Sequence, residues 1–258
     1  MLLKPAYNAA RLPGPNSWDD IASGEFIREQ TQSLINDYGR RLRGGTTLLM
    51  GPLSQQLNCH RFTLQKVLQV SPVVDSVAGG HCQIKAQLEY LPVKNASVEQ
   101  VIMPFVLEFS RDPHQILREA NRVLVDDGYL LLTGFNPLSP ALLSGWLPGK
   151  KKSLPWAGRY FTALRVRDWL SLLGYELVQY DYFVGRFLFL EATSAAEQQK
   201  TAWTEKLCRK LTPLSACYAI LARKRVYIEL PTAKVKRISA LTGQPVAVTR
   251  LSSTLKRN

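Results

Sequence analysis

The sequence predicts an α/β fold built on a doubly wound, mostly parallel sheet. Short apolar runs of strand length alternate with segments whose apolar residues recur at helical spacing, and this alternation is typical of a parallel sheet with helices on both faces. Residues 98–133 contain a complete strand–helix–strand unit. The 258 residues are 46% hydrophobic and 21% charged, which is the composition of a globular protein. No apolar run approaches the roughly 18 to 20 residues that a membrane-spanning helix needs.

The beginning of the chain is predicted to hold one helix and the first strand. Residues 1–16 are rich in proline and are expected to be extended. Ser17 precedes a polar–apolar run that predicts a helix, capped near its start and ended by Gly44-Gly45. The apolar run at 46–50 predicts a buried strand.

Three further runs of strand length follow. Residues 62–70 form an apolar run of ambiguous period. Residues 82–88 alternate between apolar and polar side chains, which is strand periodicity. Residues 98–107 are apolar and are interrupted at Pro104.

A capped helix gives the strongest local pattern in the chain. Asp112 can cap a helix whose first position is Pro113, where the missing N–H costs nothing. Gln115 lies three residues after the cap, as in a capping box. Asp127-Gly128 is predicted to end the helix.

The remainder of the chain continues the alternation. Further elements are predicted at 129–133 (strand), 166–173 (helix, ended by Gly174), 176–182 (strand), 206–211 (helix) and 216–222 (strand). From residue 231 onward little apolar periodicity remains. We therefore expect three regions: an extended segment 1–16, an α/β domain 17–228 and a basic, flexible tail 229–258.

Positive charge is concentrated at the end of the chain. The net charge is +13, and residues 201–258 carry 12 Lys+Arg against 2 Asp+Glu, so they account for +10 of it. Such a tail suits nucleic acid or another anionic surface, and it is equally compatible with a solvated segment that only aids solubility.

Cysteine and histidine spacing predicts no metal site. The four cysteines and three histidines include no CxxC pair and no helical histidine pair. The N-terminus has no apolar core of signal-peptide length before Pro13, so we expect a cytoplasmic protein.

Residues 89–137 carry a resemblance to a known family. The matching pieces are LPV, SVEQV, VLEF with a following DP, RVL and the DGYLLL turn and strand. This stretch resembles the second half of a type-11 domain of the class I S-adenosylmethionine-dependent methyltransferases, which have a Rossmann-like fold. The run LEFSRDPHQILRE followed by GFNP is similar to a small bacterial branch, the YafS-like proteins. The resemblance extends over about residues 15–225 and implies S-adenosylmethionine as cofactor.

The resemblance also implies five cofactor-binding residues, and the chain departs from the family at several of them. The family has a glycine-rich turn after the first strand, where Gly51 stands alone before Pro52. The aspartate that precedes the adenine contact falls on Gln87, and Leu88 would offer its backbone N–H to adenine. Three of these places are also explained without a cofactor, because Gly51 is an ordinary turn glycine, Gln87 an ordinary polar residue at a strand end and Phe105 an ordinary core residue. The five residues are Gly51, Gln87, Leu88, Met103 and Phe105.

Two further residues are expected near the acceptor, and one acidic position has no clear counterpart. Glu108 and Asn136 occupy places beside the substrate cleft, although the first also suits a helix start and the second a turn. The acid that would hold the ribose hydroxyls is missing, and Asp75 is the nearest candidate.

The sequence leaves several functions open and identifies no catalytic residue. The resemblance implies methyl transfer to an unknown acceptor, in which the protein mainly aligns the two reactants. The lone glycine and the missing acid favour a catalytically degenerate binding protein that uses its basic tail. Lys150-Lys151-Lys152, between Trp146 and Trp156, would suit nucleic acid or a lipid interface, and a solvated loop explains the same residues.

Overall fold

The computed structural model describes residues 14–39, 45–58, 66–73, 82–143, 154, 156–183 and 215–225. The chain divides into two compact units, Met1–Val226 and Tyr227–Asn258, and all described residues belong to the first. The predicted helix at 206–211 and the predicted tail lie outside the described residues. No helix in these ranges is long and apolar enough to cross a membrane.

One seven-stranded sheet with the order β3-β2-β1-β4-β5-β7-β6 organises this unit. Its strands are β1 (Thr47–Met50), β2 (Val67–Ser71), β3 (Cys82–Lys85), β4 (Val98–Pro104), β5 (Leu124–Phe135), β6 (Tyr175–Phe183) and β7 (Cys217–Lys224). Strands β1 to β5 are parallel, and β7 runs antiparallel between β5 and β6. The predicted parallel neighbours β1, β4 and β5 are confirmed, because Leu48 pairs with Val101 and Val101 with Leu130.

Helices cover both faces of the sheet. The helices are α1 (Gly24–Gly39), α2 (Pro113–Val123), α3 (Pro140–Leu143) and α4 (Ala163–Leu172), and short 3₁₀ turns occupy Trp18–Asp20, Pro52–Gln56 and Leu107–Phe109. α2 and α4 pack on the face that presents Leu48, Val101 and Leu130. α1 and the first 3₁₀ turn pack on the other face. The predicted doubly wound fold is therefore confirmed.

Several predicted boundaries are wrong, and each has a local cause. α2 ends at Val123, not at Asp127-Gly128, because Leu124 already pairs with Val98 in the sheet. Asp127 has φ +63° and lies in a bend inside β5. Gln115 does not close a capping box, since its side-chain amide donates to the Glu89 carbonyl.

The predicted N-terminal helix is two elements. Ser17 caps the 3₁₀ turn Trp18–Asp20, and α1 begins only at Gly24. Ser23 lies between the two elements at φ +57°, so its backbone is not in the right-handed helical conformation. A Cβ at Gly24 would lie 1.7 Å from the Trp18 carbonyl oxygen, so this tight junction requires glycine. α1 is described as far as Gly39, and the predicted end at Gly44-Gly45 is not tested because residues 40–44 lie outside the described residues.

Candidate cofactor and acceptor site

The carboxyl edge of the parallel strands is where this topology binds ligands. β1 lies between β2 and β4, so the chain crosses to opposite sides of β1 and leaves a crevice at its carboxyl end. The segments that follow β1, β3, β4 and β5 all reach this edge. They carry Gly51, Gln87, Leu88, Phe105, Val106, Glu108 and Asn136.

Gly51, Leu88 and Val106 converge beside the end of β1. Gly51 has φ +94°, and its N–H donates to the Val70 carbonyl at 2.9 Å. A Cβ at Gly51 would lie 2.7 Å from Val106 Cγ2 and 3.9 Å from Leu88 Cδ1. Both the backbone conformation and the space therefore require glycine here. Two of the predicted cofactor residues, Gly51 and Leu88, are thus close together.

Gln87 and Leu88 differ in exposure at the end of the third strand. Gln87 is exposed, and its carbonyl accepts a hydrogen bond from the Tyr90 N–H at 3.3 Å. Leu88 is buried and packs with the cluster that holds Met50 and Val106. The exposed Gln87 amide is free to hydrogen-bond at this edge, whereas the Leu88 side chain is already packed in the core.

Met103 and Phe105 lie behind the crevice. Met103 packs on the α2 face of the sheet, and Phe105 packs on the α1 face. Phe105 has φ +51°, which turns its ring away from the line of β4. The ring contacts Trp18 edge-on at 5.7 Å between centroids and Phe135 at 4.4 Å. Both predicted residues support the edge from the core, and their side chains are almost fully buried.

A serine stands where the family has an acid at the end of β2. β2 ends at Ser71, whose Oγ accepts a hydrogen bond from the Val73 N–H at 3.2 Å. Ser71 is buried. Asp75, the predicted candidate, lies outside the described residues. The described end of β2 therefore offers a neutral hydroxyl to a ribose.

Glu108 is a buried carboxyl in the turn that follows β4, at the carboxyl edge of the sheet. The residue belongs to the 3₁₀ turn after β4 and is only 1% exposed. Oε1 accepts a hydrogen bond from the Phe135 N–H at 2.9 Å, and Oε2 is buried without a hydrogen-bond partner. Burial raises the pKa of Glu108 to about 7.

Two tyrosines surround this carboxyl. A Cβ at Gly134 would lie 2.5 Å from both Glu108 Oε1 and the Tyr218 hydroxyl, so glycine lets the two groups approach. Burial, and then the Glu108 charge, raise the pKa values of Tyr160 and Tyr218. The cluster is consequently uncharged apart from Glu108 itself when that carboxyl is ionised.

Asn136 shapes the turn after β5. Its side-chain amide donates to the Ser215 carbonyl at 2.8 Å, and its side-chain oxygen accepts from the Leu138 N–H at 3.2 Å. Its backbone N–H donates to the Ala216 carbonyl. These hydrogen bonds give Asn136 a structural role, because they join the turn after β5 to the start of β7. Its contact with substrate stays a prediction.

Sequence reasoning missed Val106, Ser71 and the arginines before and within α4. Val106 and Ser71 are small residues whose place depends on strand ends that the sequence located only approximately. Arg159 and Arg165 flank Tyr160 and Phe161, and this interleaving of basic and aromatic residues was a usable signal. Among the described residues, no group of three His, Cys, Asp or Glu side chains could hold a metal ion.

Comparison with known proteins gives one family match, one relative and many structural neighbours. A methyltransferase-domain family model matches residues 62–132. The Escherichia coli (strain K12) protein named "Uncharacterized protein YafS" is 34% identical over 181 residues, which are 70% of this chain and 73% of that protein.

The solved structures share the fold at low identity. A methyltransferase from Thermotoga maritima, described as a possible histamine N-methyltransferase, has a TM-score of 0.53 at 17% identity and covers 78% of this chain and 92% of its own. A methyltransferase from Archaeoglobus fulgidus has a TM-score of 0.53 at 17% identity and covers 78% and 97%. The [4+2]-cyclase SpnF has a TM-score of 0.52 at 16% identity and covers 76% and 80%. One fold thus serves proteins described with different activities.

Proposed function

We propose, for a chain that belongs to the YafS-like branch of the S-adenosylmethionine-dependent methyltransferase family, that it transfers a methyl group from that cofactor to an acceptor at the carboxyl edge of β4 and β5. The observation that carries the proposal is the convergence of Gly51 and Leu88 at the switch point beside β1. This is the place where the fold binds its nucleotide ligand.

The described residues fit the cofactor in part. The Gly51 turn brings its backbone close to the crevice, Leu88 can offer its backbone N–H to adenine, and the exposed Gln87 can hydrogen-bond. Met103 and Phe105 fix the wall behind them. Ser71 weakens the fit at the ribose, because a buried neutral hydroxyl already bonded to Val73 replaces a carboxylate. We therefore expect lower affinity than a complete acidic set would give.

The cofactor supplies an activated methyl group, and the chain's own residues have the task of alignment. Holding donor and acceptor in line converts a bimolecular reaction into one within a complex. A proton must leave only if the acceptor nucleophile carries one. Glu108 is our candidate for that step, because a carboxyl with a pKa of about 7 can accept a proton near neutral pH once the acceptor gains access to its buried Oε2.

A titration of the full chain with S-adenosylmethionine and S-adenosylhomocysteine tests the proposal. We expect saturable binding by calorimetry and a loss of at least tenfold in affinity for Gly51→Asp, because a side chain at Gly51 meets Val106 and a carboxylate repels the cofactor's own. Tyr90→Ala is the matched control, since Tyr90 is an exposed neighbour of Leu88. Absence of binding by the wild-type chain would contradict the proposal.

A second candidate function is a methyltransferase-fold binding protein without catalysis. The neutral Ser71 and the lone Gly51 favour it. In that case the basic residues 231–258, which include six Lys+Arg and no acid, are the working part. Deleting these residues should then weaken retention on heparin in a salt-dependent manner and leave cofactor affinity unchanged. Unaltered retention would remove the polyanion partner.

A further inference from the structure

A basic and aromatic cluster, formed by Arg159, Arg165, His114, Phe161 and Trp169, lies at the acceptor side of the edge. The Arg159 N–H donates to the Glu108 carbonyl at 2.8 Å, which fixes Arg159 beside the turn that holds the buried carboxyl. Arg165 lies in the first turn of α4, after the cap residue Thr162. The carboxyl ends of β4 and β5 lead into the segments that carry these residues, so the cluster shares the edge with the proposed methyl-transfer site.

Arg159 has an unfilled hydrogen-bonding position. Its Nη1 is buried and has no hydrogen-bond partner, and no carboxylate of the described residues forms an ion pair with Arg159. Burial, and then the charge of Arg165, lower the pKa of Arg159. A guanidinium N–H without a partner, near a second cation, is unfavourable, and an anion bound beside the two arginines would offset both costs.

Arg165 is held in place by aromatic rings. Its guanidinium carbon lies 5.6 Å from the centre of the Phe161 ring and 5.3 Å from that of Trp169. The His114 ring packs on Trp169 at 4.2 Å between centroids. Stacking of this kind fixes the guanidinium before any ligand arrives, so binding loses less side-chain entropy.

Backbone dipoles add to the positive field. α2, of eleven residues, and α4, of ten residues, both begin at this edge. The positive end of a helix dipole favours an anion within the first turn. Asp112 is the acid of the α2 start, and its Oδ1 is engaged by the His114 and Gln115 N–H groups. Asp168, on α4, is exposed.

We propose that the cluster binds a phosphate group of the methyl acceptor, with Arg159 and Arg165 as its ligands. The assignment of the phosphate to a methyl acceptor rests on the proposed function, whereas the anion site itself does not depend on it. Arg159 precedes α4 and Arg165 lies in its first turn, so the two guanidinium groups reach the site from neighbouring segments and can share the several oxygens of a phosphate. The substrate class is then a small phosphate ester whose nucleophile reaches the crevice beside Glu108.

Calorimetric titration of the full chain with inorganic pyrophosphate, at constant ionic strength, tests the site. We expect saturable binding, at least tenfold weaker in Arg159→Gln and in Arg165→Gln. Arg167→Gln is the matched control, because Arg167 is an exposed residue of α4 outside the cluster. Arg159→Lys keeps the charge and removes the planar fork, so it should bind with intermediate affinity and guards against a folding defect in the glutamine variant.

The outcomes separate this proposal from the proposed function. Pyrophosphate binding that persists in both glutamine variants, or that falls equally in Arg167→Gln, would overturn the anion site. Equal affinity for acetate would overturn the choice of phosphate. Pyrophosphate binding that requires Arg159 and Arg165, in a chain that does not bind S-adenosylhomocysteine, would support the anion site while the proposed function fails.

Discussion

The two halves of the sheet are built differently. Around β4 and β5 the crossover contains the eleven-residue α2, and α4 follows β5 before the chain returns as β6. Around β1 to β3 the described connections hold only the 3₁₀ turn Pro52–Gln56, and residues 86–97 contain no helix. The thicker half carries the proposed acceptor site, whereas three of the five cofactor positions, Gly51, Gln87 and Leu88, follow strands of the thinner half. The difference indicates that the described core packing around the two proposed sites is unequal.

Burial shows the same asymmetry. β7, an inner strand of the thicker half, is buried over its first six residues, whereas β3, the edge strand of the thinner half, has no buried residue. α2 buries Ile116, Leu117 and Val123 against the sheet. Each such side chain contributes roughly 1.5–3 kcal/mol, so the thicker half supplies more of the folding free energy.

Truncating one apolar side chain in each half tests most directly whether the two halves contribute unequally to stability. Leu117→Ala, on α2, should lower the free energy of unfolding by about 2–5 kcal/mol, because it leaves a cavity in a fully buried site. Ile84→Ala, on β3, should cost about 1 kcal/mol, since Ile84 is only partly buried. Urea unfolding gives both values, and equal losses would break the comparison.

The titration of Glu108 gives the second largest effect. Burial raises the pKa of the folded carboxyl to about 7 from its ordinary value of about 4.5, so the folded state prefers the protonated form. Stability contributed by this preference is fully present below pH 4.5 and is lost as the pH rises through about 7. The total change is about 3 kcal/mol.

Glu108→Gln should remove that pH dependence. The neutral amide keeps an oxygen for the Phe135 N–H and carries no charge to bury. Urea unfolding of both chains at pH 5 and pH 8 checks the expectation. A wild-type chain whose stability does not fall between these values, or a variant that falls equally, would show that Glu108 is not the titrating group.

The structure shows which features local pattern could reveal. The Asp112 cap, the Pro113 start and the β5 run depend on neighbouring residues, and the sequence predicted them correctly apart from the boundary at Val123. Parallel pairing followed from the capped helix between β4 and β5. The N-terminal junction was missed because it depends on Gly24 packing against the Trp18 backbone.

The site was less predictable because its contacts join distant parts of the chain. Gly51 was recognisable as a turn glycine, but nothing near it in sequence indicated that Val106 fills the adjacent space. The bond from Phe135 to Glu108 likewise spans 27 residues and forms only when β4 and β5 are side by side. Burial of Glu108, and therefore its raised pKa, follows from that pairing.

Removing the cap of α2 should have a smaller effect than core truncation. Asp112→Ala loses the bonds from the His114 and Gln115 N–H groups to Oδ1 and should lower the free energy of unfolding by about 1 kcal/mol. Asp112→Asn keeps an acceptor oxygen and is expected to retain most of that stability. Thermal unfolding of the two variants makes the test, and an equal loss would assign the effect to the charge of Asp112.

The smallest expected effect on stability concerns two buried glutamines, one in each half of the sheet. Gln69, in β2, is 2% exposed, and neither its Nε2 nor its Oε1 has a hydrogen-bond partner. Gln100, in β4, is equally buried, but its Oε1 accepts from the Thr47 hydroxyl at 3.1 Å. A buried polar group without a partner is unfavourable, whereas a paired one is expensive to remove.

Methionine substitution should therefore change stability in opposite directions at these two sites. Gln69→Met keeps the side-chain volume and removes an uncompensated amide, so it should raise the free energy of unfolding by about 1 kcal/mol or less. Gln100→Met leaves the Thr47 hydroxyl without this acceptor and should lower it by about 1 kcal/mol. Urea unfolding of both variants measures the signs. Equal losses would mean that Gln69 is compensated, and the thinner half would then tolerate its buried amide at no cost.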